Sequence, residues 1–197
     1  LVKAGHRVTY LVGKDSLCPF ADVIPYDPKR ALDKQIPESA DILHLHEHPR
    51  ETPKKACIVT IHGNTNDTEK EYHINTVFVS KNHAARHGSD QYVYNGMDWA
   101  DYPTPDLKHK RDRLHFLGKA AWRIKNLKAC IKIARCSKYP LEVMGGYRFN
   151  FKMGMRFTLD PRIHFHGFVN NKEKAAVMQD SAGLLFPVLW HEPMGLA

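Results

Sequence analysis

Short apolar runs rich in β-branched residues recur along the chain and alternate with stretches of helical periodicity, and this alternation limits the fold more than any other feature. The runs are Val8–Val12, Ile42–Leu45, Cys57–Ile61, Thr76–Val79, His115–Leu117, Leu141–Met144, Ile163–Phe165 and Gly183–Phe186. Helical patterns fall at Asn82–His87, Leu127–Cys136 and Asn171–Asp180. A strand, a crossover helix and a further strand fit together most simply as parallel sheets covered by helices, so the pattern predicts an α/β protein. The stretch Asp98–Arg113 breaks the pattern with Pro103, Pro105 and the charged run Lys108–Arg113. It reads as a linker near residue 104 between an N-terminal domain over 1–104 and a C-terminal domain over 105–197.

Composition narrows the classes further. With 197 residues and 43% apolar content the chain can bury one or two cores. It has no run of about 20 apolar residues, and its first residues are too polar for a secretory leader, which points to a cytoplasmic protein. The four cysteines, Cys18, Cys57, Cys130 and Cys136, form no Cys-x-x-Cys pair and read as reduced thiols. The thirteen histidines form no metal-binding spacing, and His44, His46 and His48 read as one strand face plus its exit, so no metal ligands are assigned. A net charge of +8 suits phosphorylated ligands, an anionic membrane surface touched peripherally, or nucleic acid. The basic residues are dispersed without interleaved aromatics of the nucleic-acid-binding kind, and no nucleic acid is expected.

Both termini read as interruptions of elements. Leu1–His6 reads as the last turn of a helix stopped by Gly5, and Pro193–Ala197 as the opening of another.

Two segments carry chemistry. The first is Leu117-Gly118-Lys119-Ala120-Ala121-Trp122-Arg123-Ile124-Lys125-Asn126, a Gly turn leading from a strand into a helix. Such turns lie where α/β folds bind ligands, and free amides at the helix start favour anions. Lys119, Arg123 and Lys125 put cations there, either as a phosphate site or as a solvated basic loop. The second is Phe186-Pro187-Val188-Leu189-Trp190-His191-Glu192-Pro193-Met194-Gly195, where a strand ends and one carboxylate follows. Glu192 either complements a helix dipole or accepts hydrogen bonds from sugar hydroxyls.

These segments occur in a fixed order with Asp41–His46, Thr60-Ile61-His62-Gly63, Phe78-Val79-Ser80, Tyr94-Asn95-Gly96-Met97-Asp98, Val143-Met144-Gly145-Gly146 and Phe165-His166-Gly167-Phe168-Val169. In that order, across nearly the whole chain, they resemble the retaining GT-B glycosyltransferases of family four. The resemblance implies two Rossmann-like parallel-sheet domains facing a cleft, both incomplete here. It implies transfer of a sugar from a nucleotide-diphosphate sugar to an acceptor hydroxyl with retention, without a cofactor or metal. The acceptor class, whether sugar, lipid or small molecule, stays open.

The resemblance places Lys119 and Lys125 on the donor diphosphate, where the family has Arg and Lys. Lysine at 119 keeps the charge but lacks the planar fork, which Arg123 could supply. Glu192 matches the first carboxylate of a Glu, seven residues, Glu motif and would contact the sugar; the second carboxylate falls three positions past Ala197. His62 matches a histidine near the transferred sugar, although a histidine at a strand end is otherwise structural or solvent-facing. The resemblance puts the nucleotide near Gly118 and the backbone of Phe168 and Val169, residues that read equally well as a loop over core. A non-catalytic nucleotide-sugar-binding module of the same fold is the alternative.

Overall fold

In the computed structural model all residues are described except Asn66, Thr68, Glu69, Lys152, Gly154, Arg156, Leu196 and Ala197. The described residues form two compact units, Leu1–Tyr94 and Asn95–Ala197.

The first unit opens with one 3-10 turn, Val2–Ala4, stopped by Gly5 in the left-handed region at φ 86°. Two short parallel strands follow, β1 (Thr9–Val12) and β2 (Asp22–Pro25). The sequence pattern shows β1 but not β2, whose four residues end in proline and keep both end positions in solvent. A separate parallel sheet has the order β3-β4-β5, formed by Leu43–Leu45, Cys57–Ile61 and Thr76–Phe78. The central strand β4 is the most buried, with Cys57 and Val59 in the core. Helix α1 (Lys81–Arg86) starts where the Ser80 hydroxyl accepts a hydrogen bond from the His83 amide, a cap that satisfies one of the free donors of the first turn.

The second unit contains β6 (Arg113–Leu117), α2 (Leu127–Ser137), β7 (Leu141–Met144), β8 (Ile163–Phe165), α3 (Asn171–Gln179) and β9 (Ser181–Leu184). Its four strands are all parallel, in the order β8-β7-β6-β9. Alternate residues of the sheet, Phe116, Leu141, Val143 and Ile163, pack with Leu127, Cys130 and Ala134 of α2. These helix positions are three and four apart and so lie on one face. Burial pushes the Cys130 thiol up to about 12, which keeps it a small apolar filler instead of a nucleophile. Helix α3 opens with a capping box between Asn170 and Glu173.

The last strand sits two residues earlier than the apolar run suggests. Ser181 is buried with its hydroxyl 2.6 Å from His115 Nδ1, which seats the start of β9 against β6. The Pro- and charge-rich stretch 98–113 lies within the second unit. It is tied down by His109 to Asp180 at 2.7 Å and by the Asp106 carbonyl, which accepts from Arg111 and Gln179. Of the helix opening expected at Pro193–Ala197, the last two residues fall outside the described set. Among the described residues no helix is long and apolar enough to cross a membrane.

Candidate ligand-binding site

The order β8-β7-β6-β9 means the chain goes from β6 outward to β8 and then returns to the far side of β6. Where the direction of strand addition reverses, the loops leaving β6 and β9 part and leave a crevice at the carboxyl ends. A cavity of about 540 Å³ opens there. Gly118 and Lys119 line it after β6, Gly145 after β7, Phe168 and Val169 after β8, and Phe186 and Gly195 after β9.

Backbone stitching holds this floor in place. The Gly118 amide donates to Met144 O at 3.0 Å, Ala120 to Gly145 O at 2.9 Å, and Gly145 to Gly167 O at 2.6 Å. Such close approach excludes side chains. A Cβ on Gly145 would lie 2.2 Å from Gly118 O, and one on Gly146 would lie 2.5 Å from Ala120 Cβ. Gly145 also stands at φ 104°, a conformation L-residues avoid. The Val-Met-Gly-Gly segment is therefore needed for the contact between the β6 and β7 loops.

Lys125 is the best-placed cation of the cavity. A 3-10 turn, Arg123–Lys125, ends at Asn126 in the left-handed region, and Asn126 then caps α2 and donates to Pro187 O at 2.9 Å. The Leu189 amide donates to Ile124 O at 2.8 Å, which ties the same turn to the segment after β9. Lys125 Nζ lies 5.7 Å from the Phe186 ring centre and 5.6 Å from that of Trp190. It donates to Glu192 Oε2 at 2.7 Å, and Trp190 Nε1 donates to the same oxygen at 2.7 Å. Lys125 and Glu192 are 15% and 17% exposed as side chains. An ammonium and a carboxylate so far removed from water interact more strongly than a surface pair and resist separation.

Of the residues singled out by sequence, Gly118, Lys119, Lys125, Phe168 and Val169 line the cavity. Glu192 reaches it through Lys125. Lys119 is exposed and lies 5.0 Å from the Trp122 ring centre. Arg123 is exposed on the 3-10 turn and is not among the lining residues. Trp190 was not singled out, because its indole N–H meets Glu192 only once the loop is folded. An aromatic residue two positions before a lone carboxylate is the signal that was available.

The opposite face of the same sheet holds a second polar group that sequence reasoning passed over. Glu142, buried in the middle of β7, accepts from Arg113 at 2.7 Å and lies 2.9 Å from His164 Nδ1 and 2.6 Å from His166 Nε2. Burial acts to raise its pKa, and the hydrogen bonds from His166, His164 and Arg113 outweigh this and hold it below the ordinary carboxylate range. The alternation of charged and apolar residues in Arg113-Leu-His115 and Leu-Glu142-Val could have revealed this face.

In the first unit, His44 and His46 turn toward β4. His44 Nε2 lies 2.7 Å from Thr60 Oγ1, and His46 Nδ1 lies 3.0 Å from His62 Nε2. His48 leaves the group and meets Tyr72 edge-on. Burial, then the neighbouring imidazoles, lowers the pKa of His44 and of His62, so these two rings favour the neutral form that donates at one nitrogen and accepts at the other. Among the described residues no group of three or more His, Cys, Asp or Glu is arranged to hold a metal ion.

No protein-family model matches the chain, and neither does any curated protein. Its fold matches a solved structure, that of AviGT4, described as a glycosyltransferase involved in avilamycin A biosynthesis, with a TM-score of 0.66. The match covers 99% of this chain at 16% identity and 62% of that one, so the chain spans less than two thirds of its neighbour's length. The likeness establishes a shared Rossmann-like α/β fold with parallel sheets.

Proposed function

We propose that the chain is the core of a retaining glycosyltransferase of the GT-B type, binding a nucleotide-diphosphate sugar in the second unit. The observation that carries this reading is Lys125, a largely buried ammonium at the mouth of a 540 Å³ cavity at the switch point of a parallel sheet. The cavity has room for a nucleotide, and its cations, Lys119 and Lys125, suit a diphosphate. The fold shared with a glycosyltransferase supports the same reading.

In this reading the acceptor hydroxyl oxygen bonds to the anomeric carbon as the bond from that carbon to the phosphate oxygen breaks. The electron pair of the broken bond stays on the diphosphate, which also receives the hydroxyl proton. Lys125 and Lys119 stabilise the charge that grows on the leaving diphosphate, and a preorganised cation costs no reorganisation at that moment. Glu192 orients the sugar through its hydroxyls while Trp190 fixes the carboxylate. His62 lines the sugar and acceptor side as a neutral hydrogen-bonding ring.

Before ligand arrives, Glu192 is the counter-ion of Lys125. A diphosphate therefore competes with an internal anion, and the sugar hydroxyls give the displaced carboxylate new partners. Titration calorimetry of the chain with UDP, GDP and ADP tests the reading. Binding of one of these nucleotides, weakened tenfold or more by Lys125→Ala, is expected on the strength of charge-assisted hydrogen bonds. Failure of all three to bind overturns the proposal.

A further inference from the structure

The Lys125 ammonium already has an anion beside it. Glu192 Oε2 accepts from Lys125 and from the Trp190 indole, each at 2.7 Å, and both charged side chains are largely buried. Both of these hydrogen bonds fall on Oε2, which leaves Oε1 as the oxygen to offer to hydroxyl groups. The carboxylate stands at the cavity wall, because its stem packs beside Gly195. A Cβ on that lining glycine would lie 3.7 Å from Glu192 Cγ and 3.1 Å from the Phe186 ring.

Short ties hold both partners in place. Asn126 Nδ2 donates to Pro187 O at 2.9 Å, and the Leu189 amide donates to Ile124 O at 2.8 Å. The turn that carries Lys125 is thereby fastened to the segment that carries Glu192. The charge at this corner of the cavity sums to little. Glu192 matches Lys125, while the Lys119 ammonium lies 5.0 Å from the Trp122 ring centre, against a neutral face.

A bare nucleoside diphosphate and its sugar ester meet this corner differently. The terminal phosphate of the bare form carries about −1.5 to −2 at pH 7, whereas the esterified phosphate keeps about one negative charge and has hydroxyl groups beyond it. We infer that Glu192, held by Trp190, makes the site select the sugar ester over the bare nucleoside diphosphate. A terminal phosphate on Lys125 meets a fixed carboxylate of its own sign, and repulsion is weakly screened where water is scarce. Sugar hydroxyls in the same place donate to that carboxylate in charge-assisted hydrogen bonds. One side chain thus supplies both the attraction to one ligand and the repulsion of the other. For a transferase the bare diphosphate is the product, so the same carboxylate helps the site to empty after each turnover. This preference rests on the transferase reading for the identity of its two ligands.

The test is titration calorimetry of the whole chain with UDP, GDP and ADP beside UDP-glucose, GDP-glucose and ADP-glucose. One conjugate is expected to bind about tenfold or more tightly than its own diphosphate. Glu192→Gln keeps the shape of the side chain and removes its charge. It should tighten the bare diphosphate about tenfold while the conjugate loses its charged acceptor, so that the preference disappears. Trp190→Phe loosens the carboxylate without neutralising it and should lower the preference about threefold. An unaltered circular dichroism spectrum reports that each variant is folded. A parent chain that binds bare diphosphate as tightly as the conjugate overturns the inference with no variant needed. Equal changes for both ligands in Glu192→Gln overturn it as well. Either result leaves nucleotide binding, and with it the transferase reading, in place, whereas binding of neither ligand class overturns both.

Discussion

The two units end their parallel sheets with different chemistry. At the carboxyl ends of the second sheet stand lysines, with Lys125 held by an internal carboxylate and two aromatic rings. At the corresponding ends of the first, β3 and β4 deliver the imidazoles His44, His46 and His62, of which burial and neighbouring rings favour the neutral form for His44 and His62. A lysine ammonium stabilises an anion at any physiological pH, whereas a neutral imidazole donates and accepts and adds no fixed charge. In chemical terms a fixed cation suits phosphate, and imidazoles that donate and accept suit hydroxyl groups. The contrast also makes the units differ in how they respond to mutation and to pH.

The most damaging test acts on the backbone contact beneath the cavity. Gly145→Ala forces a Cβ to within 2.2 Å of Gly118 O at φ 104°, and a loss on the order of 4 kcal/mol in stability is expected. All three tryptophans, Trp99, Trp122 and Trp190, lie in the second unit. The urea midpoint read by tryptophan fluorescence should therefore fall sharply, and an unchanged midpoint would show that the β6 and β7 loops can separate freely.

The next effect belongs to the first unit. His83 is fully buried between Phe78 and His87, and burial, then the His87 and Arg86 charges, lowers its pKa from 6.5 to about 4. Its folded pKa lies below its unfolded one, so the unfolded chain binds the proton more readily. The stability from the neutral ring is fully present above pH 6.5 and is lost as pH falls toward 4, by about 3 kcal/mol. Thermal unfolding followed by circular dichroism over that range should show the loss, and His83→Leu should flatten it. A pH-independent midpoint in the parent chain would remove the contrast between the units.

Two smaller effects probe the cation itself. Lys125→Ala should weaken diphosphate binding by about 2 kcal/mol in calorimetry. Trp190→Phe keeps an aromatic face near Lys125 and removes one hydrogen bond to a carboxylate, costing about 1.5 kcal/mol in urea unfolding. If Trp190→Phe proved as harmful to binding as Lys125→Ala, Glu192 and not the ammonium would be the chief anchor.

Much of the fold was legible because short apolar runs stand out between turn residues even where one polar residue interrupts them, as Glu142 and His164 do. Cys57–Ile61, Leu141–Met144 and Ile163–Phe165 are found at the residues where the runs lie. Strand β2 was not, since a four-residue edge strand with exposed ends has no apolar signature. The cavity's glycines and lysines were legible because turn chemistry is local. The partners of Glu192 and Glu142 were not, because Lys125 is 67 residues from Glu192 in sequence and His166 is 24 from Glu142. Arg123 sits between Lys119 and Lys125 in sequence, yet the 3-10 turn leaves it in solvent outside the cavity lining.

The position of β6 at the heart of its sheet bears on how the second unit comes into being. As the first strand of that sheet to leave a ribosome, it finds β7 soon afterward on one side. Its other edge waits for β9, which follows β7, β8 and α3 in the chain, and until then presents a row of unpaired amides and carbonyls. The same late arrival brings Phe186, Trp190 and Glu192 to Lys125. Pairing of β6 on its second edge and assembly of the cation's surroundings are thus one event, and a nascent chain brings Lys125 and Glu192 together only when that edge of β6 is covered.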